Sequence, residues 1–225
     1  MRIKNRIINL LYIAVFVVIS GYGLILALGI NRGEFLILPL SYSNLSNIIP
    51  FIYFLVCLIH GVFIILTKND SKEIIVLPRF KGAVTMCPTL TLLIFHFLLF
   101  RGSFYIPGTN NLDWRNLIIH YITPALVILH WLLFDKKGVF KPIDPLIWMV
   151  IPIGYMIFSF VYAEIGTVFF RNGARYPYYF INPDQIGWAG VVASVIGIFI
   201  FFVLLGYAVC FIDKHLVKLG KREEK

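Results

Sequence analysis

The amino-acid sequence predicts an all-α protein: a bundle of six membrane-spanning helices forming one integral membrane domain over residues 1–225. Three observations lead there. Of the 225 residues, 60% are apolar and only 14% charged, against roughly 45–50% and about 25% in soluble domains. The mean hydropathy is +0.86, which excludes a water-soluble globular domain. The apolar residues also collect in six long runs, approximately Ile7–Ile30, Asn44–Thr67, Gly82–Phe100, Asn116–Phe134, Pro145–Ala163 and Ile186–Ile212. Each is close to the ~20 residues of one crossing. In lipid the backbone has no other hydrogen-bond partner than itself, so such runs are helices. Any active site must lie inside the bilayer or at its rim.

The first run follows Arg2, Lys4 and Arg6 but exceeds the roughly 7–15 apolar residues of a signal peptide and has no small-x-small site after it, so it is expected to remain as helix one. The second opens with Ser43, Ser46 and Asn47 and carries Pro50 and His60, while the third ends near His96. The fourth carries His120, Pro124 and His130, and the fifth ends at Glu164. The sixth has small residues at Gly187, Gly190, Ser194 and Gly197, a pattern expected to allow close helix packing. A proline lacks the N–H that would reach the carbonyl four residues back. Pro124 is therefore expected to free the His120 carbonyl, and Pro50 that of Ser46.

Lys and Arg set the orientation. Fifteen of the twenty fall on one side: the N-terminus, the second–third loop (Lys68 to Lys81), the fourth–fifth loop (Lys136, Lys137, Lys141) and the tail from Lys214 to Lys225. Arg32, Arg101, Arg115, Arg171 and Arg175 fall on the other. A cell-membrane protein with both termini cytoplasmic is expected. The net charge of +9 flanks apolar spans and forms no continuous basic face, so no nucleic-acid partner is implied. Cys57, Cys87 and Cys210 all lie in apolar runs and read as buried free thiols.

Ionisable groups within spans are costly and mark candidate functional sites. The helix directions sort them into an outer layer of Ser43, Asn47, His96, His120 and Glu164, and an inner layer of His60 and His130. Each has a structural reading beside it. Ser43 suits a helix N-cap, the histidines suit interhelical hydrogen bonds, and Glu164 suits a pair with Arg171 or Arg175. The aromatic loop of Arg175 to Phe180 reads either as an interfacial belt or as a lid over an outward-facing site. G-x-S-x-G, H-E-x-x-H, Walker and Cys/His zinc patterns are absent. The H-x-x-x-x-D spacing of His130 and Asp135 is similar to that of glycerolipid acyltransferases, but no soluble domain surrounds it, and it is read as chance.

The helix-two entry Tyr42-Ser43-Asn44-Leu45-Ser46-Asn47 resembles the F/Y-x-T/S-x-x-S/T-N stretch of a known family. So do Arg79 to Thr85 with His96 beyond, His120-Tyr121-Ile122-Thr123-Pro124, and Trp131 to Asp135. Pro145 to Trp148 with Pro152 and Tyr155, and Tyr176-Pro177-Tyr178, complete the series. In order and spacing, from about Leu38 to His215, these resemble the androgen-induced membrane protein family, and more closely its bacterial six-helix branch. The resemblance implies an intramembrane hydrolase of fatty acid esters with a hydroxyl nucleophile and a histidine, which fall here on Ser43 and His120. Serine stands where the family has threonine, which keeps the hydroxyl. Asn47 would lend a donor to an oxyanion, and His96 or Glu164 would orient His120. The substrate would be a membrane lipid or fatty acid ester, and no cofactor would be required.

Three other classes compete. A haem-binding electron carrier would pair His96 with His120 and His60 with His130. A transporter would need a polar path through mid-spans that are largely apolar, and a non-catalytic membrane protein would need none of these groups.

Overall fold

The computed structural model describes residues 2–30, 41–69, 72–100, 102–166 and 175–223. Arg32, Arg101 and Arg171, which entered the orientation count, lie outside the described residues. The described chain is helical, with α1 (Arg6–Ala27), α2 (Tyr42–Leu66), α3 (Phe80–Ile94), α4 (Trp114–Leu117), α5 (Thr123–Phe134), α6 (Asp144–Trp148), α7 (Val150–Glu164) and α8 (Pro183–Glu223). A π-helical turn, Phe95–Leu99, extends α3, and a second, Ile118–Ile122, joins α4 to α5. The eight helices form six stretches long and apolar enough to cross a membrane, because α4 runs into α5 and α6 into α7. This is a multi-pass membrane protein; five spans begin and end within a few residues of those expected, while the sixth helix, expected to end at Ile212, runs on to Glu223. The three cysteines are free and buried.

Burial separates central from peripheral helices. Half of the most apolar window is buried in Phe80–Leu99 and in Trp114–Phe134, against 22–33% in the other four spans. The α3 and α4–α5 spans are thus the axis of the bundle, and the rest surround them. On α1, Ile7, Leu11, Val15, Val18, Tyr22 and Ile25 recur at steps of three and four and are all exposed, a lipid-facing stripe. The opposite stripe, Asn9, Ile13, Phe16, Ser20 and Gly23, is buried. Two apolar cores result. One packs Phe16, Phe54, Val84 and Val127 between α1, α2, α3 and α5. The other packs Met86, Trp131, Trp148 and Phe202 between α3, α5, α6 and α8. A Cβ on Gly82 would lie 2.0 Å from the Trp148 ring, so only glycine lets α6 approach α3 there.

The N-terminus and the two loops expected on its side meet on one face. The Arg2 guanidinium donates to the Phe134 carbonyl at 2.8 Å and pairs with Glu73 at 2.5 Å, and Arg6 donates to the Lys72 carbonyl. Asp213 near the end of α8 joins them, accepting from the N–H groups of Gly138, Val139 and Phe140. This terminal face also holds an ionic cluster inside the bundle. Lys81, counted above among the loop cations, is only 1% exposed, with its ammonium 3.8 Å from Asp135 and 4.4 Å from the centre of the Phe54 ring. His130 sets one ring nitrogen 3.0 Å from Asn9 Oδ1 and the other 3.2 Å from Asp135 Oδ1. The His130–Asp135 spacing thus brings two side chains together, but in a buried ion cluster rather than an open site. Three elements, α1, α3 and α5, are tied there.

Burial would push the Asp135 carboxyl up, but Lys81 and His130 outweigh it and hold it below the ordinary carboxylate value. A depressed carboxylate stabilises the fold above its unfolded value near ~4, and that stabilisation is lost as pH falls through the lower folded value. Removing one partner of a buried pair strands the other charge, at a cost of roughly 3–5 kcal/mol. Lys81→Met is therefore expected to destabilise the purified protein by about 3 kcal/mol. Adding Asp135→Asn should recover part of that loss. Thermal unfolding in detergent reads both, and a double variant no better than Lys81→Met would refute the pairing.

Candidate active site

At the opposite face, α2 begins beside the π turn that joins α4 to α5. Ser43 was expected to cap α2, but the cap is Ser41, whose hydroxyl accepts from the Asn44 N–H at 3.3 Å. The Ser43 hydroxyl, in the first turn of the helix, is left to a different partner. Its Oγ lies 3.2 Å from His120 Nε2. His120 Nδ1 lies 3.1 Å from the Asn116 carbonyl, an acceptor only, so Nδ1 carries the proton and Nε2 offers its lone pair to the serine. Both residues are buried, at 9% and 6% exposure. Phe95, in the first residue of the α3 π turn, stacks on the imidazole with ring centres 3.7 Å apart. The ring is held by a carbonyl on one edge and an aromatic plane on one face.

Asn47 has a different role from the one expected. Both hydrogens of its amide are spent on backbone carbonyls, that of Ser43 at 2.7 Å and that of Ile119 at 2.9 Å, leaving none for an oxyanion. The π turn explains the second bond. In a π turn an N–H reaches the carbonyl five residues back, and the Thr123 N–H bonds Ile118 in this way. In that register the N–H missing at Pro124 would have served Ile119, not His120. The orphan carbonyl shifts by one residue, and Asn47 satisfies it. Ser46 adds a further tie, its hydroxyl reaching the Ser43 carbonyl at 3.0 Å and Thr91 Oγ1 on α3 at 2.6 Å.

His96 and Glu164, expected to orient His120, do not. His96 is exposed and meets Tyr121 Oη at 3.1 Å. Glu164 is exposed at the end of α7. Among the described residues Glu164 makes no ion pair with Arg175, which donates to the Ala163 carbonyl at 2.8 Å; Arg171, the other expected partner, lies outside the described residues. The histidines of the haem reading have other neighbours. His60 meets the Ile74 carbonyl, and both ring nitrogens of His120 and of His130 are engaged by protein groups. Among the described residues no group of His, Cys, Asp and Glu could hold a metal ion.

The aromatic loop supplies a residue that sequence reasoning left unassigned. Tyr176, Pro177, Phe180 and Ile181 are buried, so the loop folds over the bundle rather than girdling it. Tyr178 Oη accepts from the Ser43 N–H at 3.4 Å, placing a phenol beside the nucleophile candidate. Burial pushes its ionisation above the ordinary tyrosine value, so the phenol keeps its proton and can donate it. The position of Tyr178 in the loop gave no sign of this, beyond its place in the Tyr-Pro-Tyr motif. Ser43 and Tyr178 border a cavity of about 70 Å³ between α2, α3, α7 and α8, whose remaining walls are mostly apolar, including Leu90, Met156 and Phe199, with Tyr42, Thr91 and Tyr155 among them. A buried hydroxyl–imidazole pair at the edge of an apolar cavity can activate the hydroxyl for attack on a carbonyl carbon.

Set against known proteins, the chain matches no family model, no curated protein and no solved structure.

An unpaired buried backbone carbonyl costs roughly 1–3 kcal/mol. Asn47→Leu leaves the Ile119 carbonyl without a donor, while the Ser43 carbonyl keeps the Ser46 hydroxyl, and is expected to destabilise the protein by about 2 kcal/mol. Ser43→Ala, which removes one hydroxyl and no backbone partner, should cost no more than ~1 kcal/mol. Comparing their unfolding in detergent tests the assignment; equal losses would contradict it.

Proposed function

We propose that this protein is an intramembrane serine hydrolase that cleaves a lipid ester, with Ser43 as nucleophile and His120 as general base. The observation that carries the reading is the 3.2 Å contact between Ser43 Oγ and His120 Nε2, with the tautomer set by the Asn116 carbonyl. The serine oxygen attacks the ester carbonyl carbon while its proton passes to Nε2. His120 then returns that proton to the departing alkoxide. Water, deprotonated by the same nitrogen, releases the acid from Ser43. The oxyanion is met by the Tyr178 O–H and by the Ser43 N–H, whose long 3.4 Å bond to Tyr178 Oη gives way to the substrate oxygen. Asn116 supplies by its backbone the tautomer control that a carboxylate supplies in a Ser-His-Asp triad.

Other features support the same reading. The mostly apolar lining of the cavity suits a hydrocarbon chain, with hydroxyls confined to Ser43, Tyr178, Tyr42, Thr91 and Tyr155. The resemblance to the androgen-induced membrane protein family implies the same pair of residues, and membership of that family belongs to this proposal. So does the topology: an excess of Lys and Arg on the terminal face supports cytoplasmic termini and a Ser43 site toward the outer leaflet of the cell membrane. The haem alternative has less support, because His120 and His130 each have both nitrogens engaged.

A fluorophosphonate probe applied to membranes carrying the protein is expected to modify Ser43, as mapped by tryptic mass spectrometry. Ser43→Ala and His120→Ala should both abolish labelling, the second because loss of a general base costs about 10²–10⁴ in rate. Tyr178→Phe should retain labelling but lower ester turnover by about 10²–10³, the range for one oxyanion donor. Ester cleavage that persists in folded Ser43→Ala would sink the proposal.

A further inference from the structure

A second hollow adjoins the cavity at Ser43. Ile94 on α3 and Ile198 on α8, which line that cavity, also line this hollow, of about 240 Å³, that opens between these two helices. Its remaining sides include Leu93 and Phe97 from α3 and its π turn, and Gly197 and Phe201 from α8. Every residue around it is apolar. Phe97 and Phe201 are 74% and 41% exposed, so the hollow faces the hydrocarbon of the bilayer.

The two helices are held apart there by the way α8 is anchored. At the terminal face Gly206 packs on Pro145, where a Cβ would lie 2.8 Å from the proline ring, and Asp213 binds the loop after α5. At the other end the kink at Gly187, with φ of 67°, turns α8 into the aromatic loop. Between these anchors α8 leaves a gap. The small residues expected to draw α8 against its neighbours do not do so. A Cβ at Gly197 would meet nothing within 4 Å, and one at Gly190 would meet only Ile186 of the same helix. On the facing side the π turn of Phe95–Leu99 widens α3, a feature often found at functional sites.

Resting on the hydrolase reading, we propose that the gap between α3 and α8 is a lateral portal for one long hydrocarbon chain of the substrate, and that Gly197 sets what passes. The carbonyl end of such a chain reaches Ser43 through the cavity, while its tail lies in the gap and ends in lipid. The occupant is hydrocarbon because the gap offers no hydrogen-bond partner, and a headgroup or free alcohol would have to shed its water there without compensation. A short acyl chain fits within the cavity and does not need the gap. Gly197 is therefore a specificity-determining residue, not a catalytic one, and its open surroundings let a large side chain enter without displacing the backbone.

The test uses the full-length protein in phosphatidylcholine proteoliposomes, as wild type, Gly197→Ala and Gly197→Phe, with 4-nitrophenyl butyrate and 4-nitrophenyl palmitate. Gly197→Phe is expected to hydrolyse butyrate within about twofold of wild type and palmitate about tenfold more slowly, since each methylene kept from an apolar site costs several-fold in binding. Gly197→Ala should fall between. An unchanged palmitate-to-butyrate ratio would overturn the portal while leaving the hydrolase standing. A wild type that cleaves neither ester would overturn the hydrolase, and the portal would then be decided by photolabelling with diazirine palmitic acid. Labels on Met156 or Phe199 inside the cavity that vanish in Gly197→Phe support the portal. Cavity labels that persist in that variant, or none in wild type, overturn it.

Discussion

In a bilayer core a backbone carbonyl without a partner has no water to turn to, and most of what distinguishes the Ser43 end of this bundle follows from that constraint. Pro124 removes an N–H from the middle of the α4–α5 span. The π turn before it settles which carbonyl is left over, and Asn47 on α2 supplies the missing donor at 2.9 Å. The same amide binds the Ser43 carbonyl, so one side chain joins the helix carrying the hydroxyl to the helix carrying the imidazole. The 3.2 Å contact between Ser43 and His120 is thus a consequence of backbone satisfaction, not a weak bond left to find its own geometry.

The two polar layers obey one rule with different chemistry. Toward the terminal face, Lys81, His130 and Asp135 form a buried cluster in which charge is balanced by charge, and Asn9 extends it to α1. Toward the other face the groups are neutral: a serine, an imidazole held by a carbonyl, an amide and a phenol. Charge would be a liability beside an apolar cavity, where an ion meets no solvent. Neutral groups can wait there at low cost and develop charge only when a carbonyl is attacked, which is when preorganised donors count most. The cluster at the terminal face ties α1, α3 and α5 together and leaves the opposite end free to carry the gap between α3 and α8.

Much of this was legible in the sequence. The six apolar runs give the six spans because length and hydropathy are sufficient in lipid. The resemblance implied the pairing of Ser43 with His120, and helix direction, which converts residue number into depth, was compatible with it. What stayed hidden depends on register and on neighbours. A π turn leaves no compositional mark, so the carbonyl freed by Pro124 was placed one residue off. Ser41 and Ser43 are equally good caps by type, and only the start of the helix chooses between them. Lys81 looks like any loop cation until the fold closes over it. Tyr178 reaches Ser43 from 135 residues away, which no local pattern could reveal.

The glycines of α8 make the same point from the other direction. Small residues in a membrane helix are read as contact points because a missing side chain lets two backbones approach. That reasoning holds at Gly206, against Pro145, and fails at Gly197, where nothing lies within 4 Å of the absent Cβ. A glycine that touches no helix still exposes less surface than any other residue and leaves a space that lipid chains can enter. The anchors of α8 at its two ends decide which of these meanings each glycine takes, and they place the empty one on the path from lipid to Ser43. Packing and access are then set by the same residue type on the same helix, separated by nine positions.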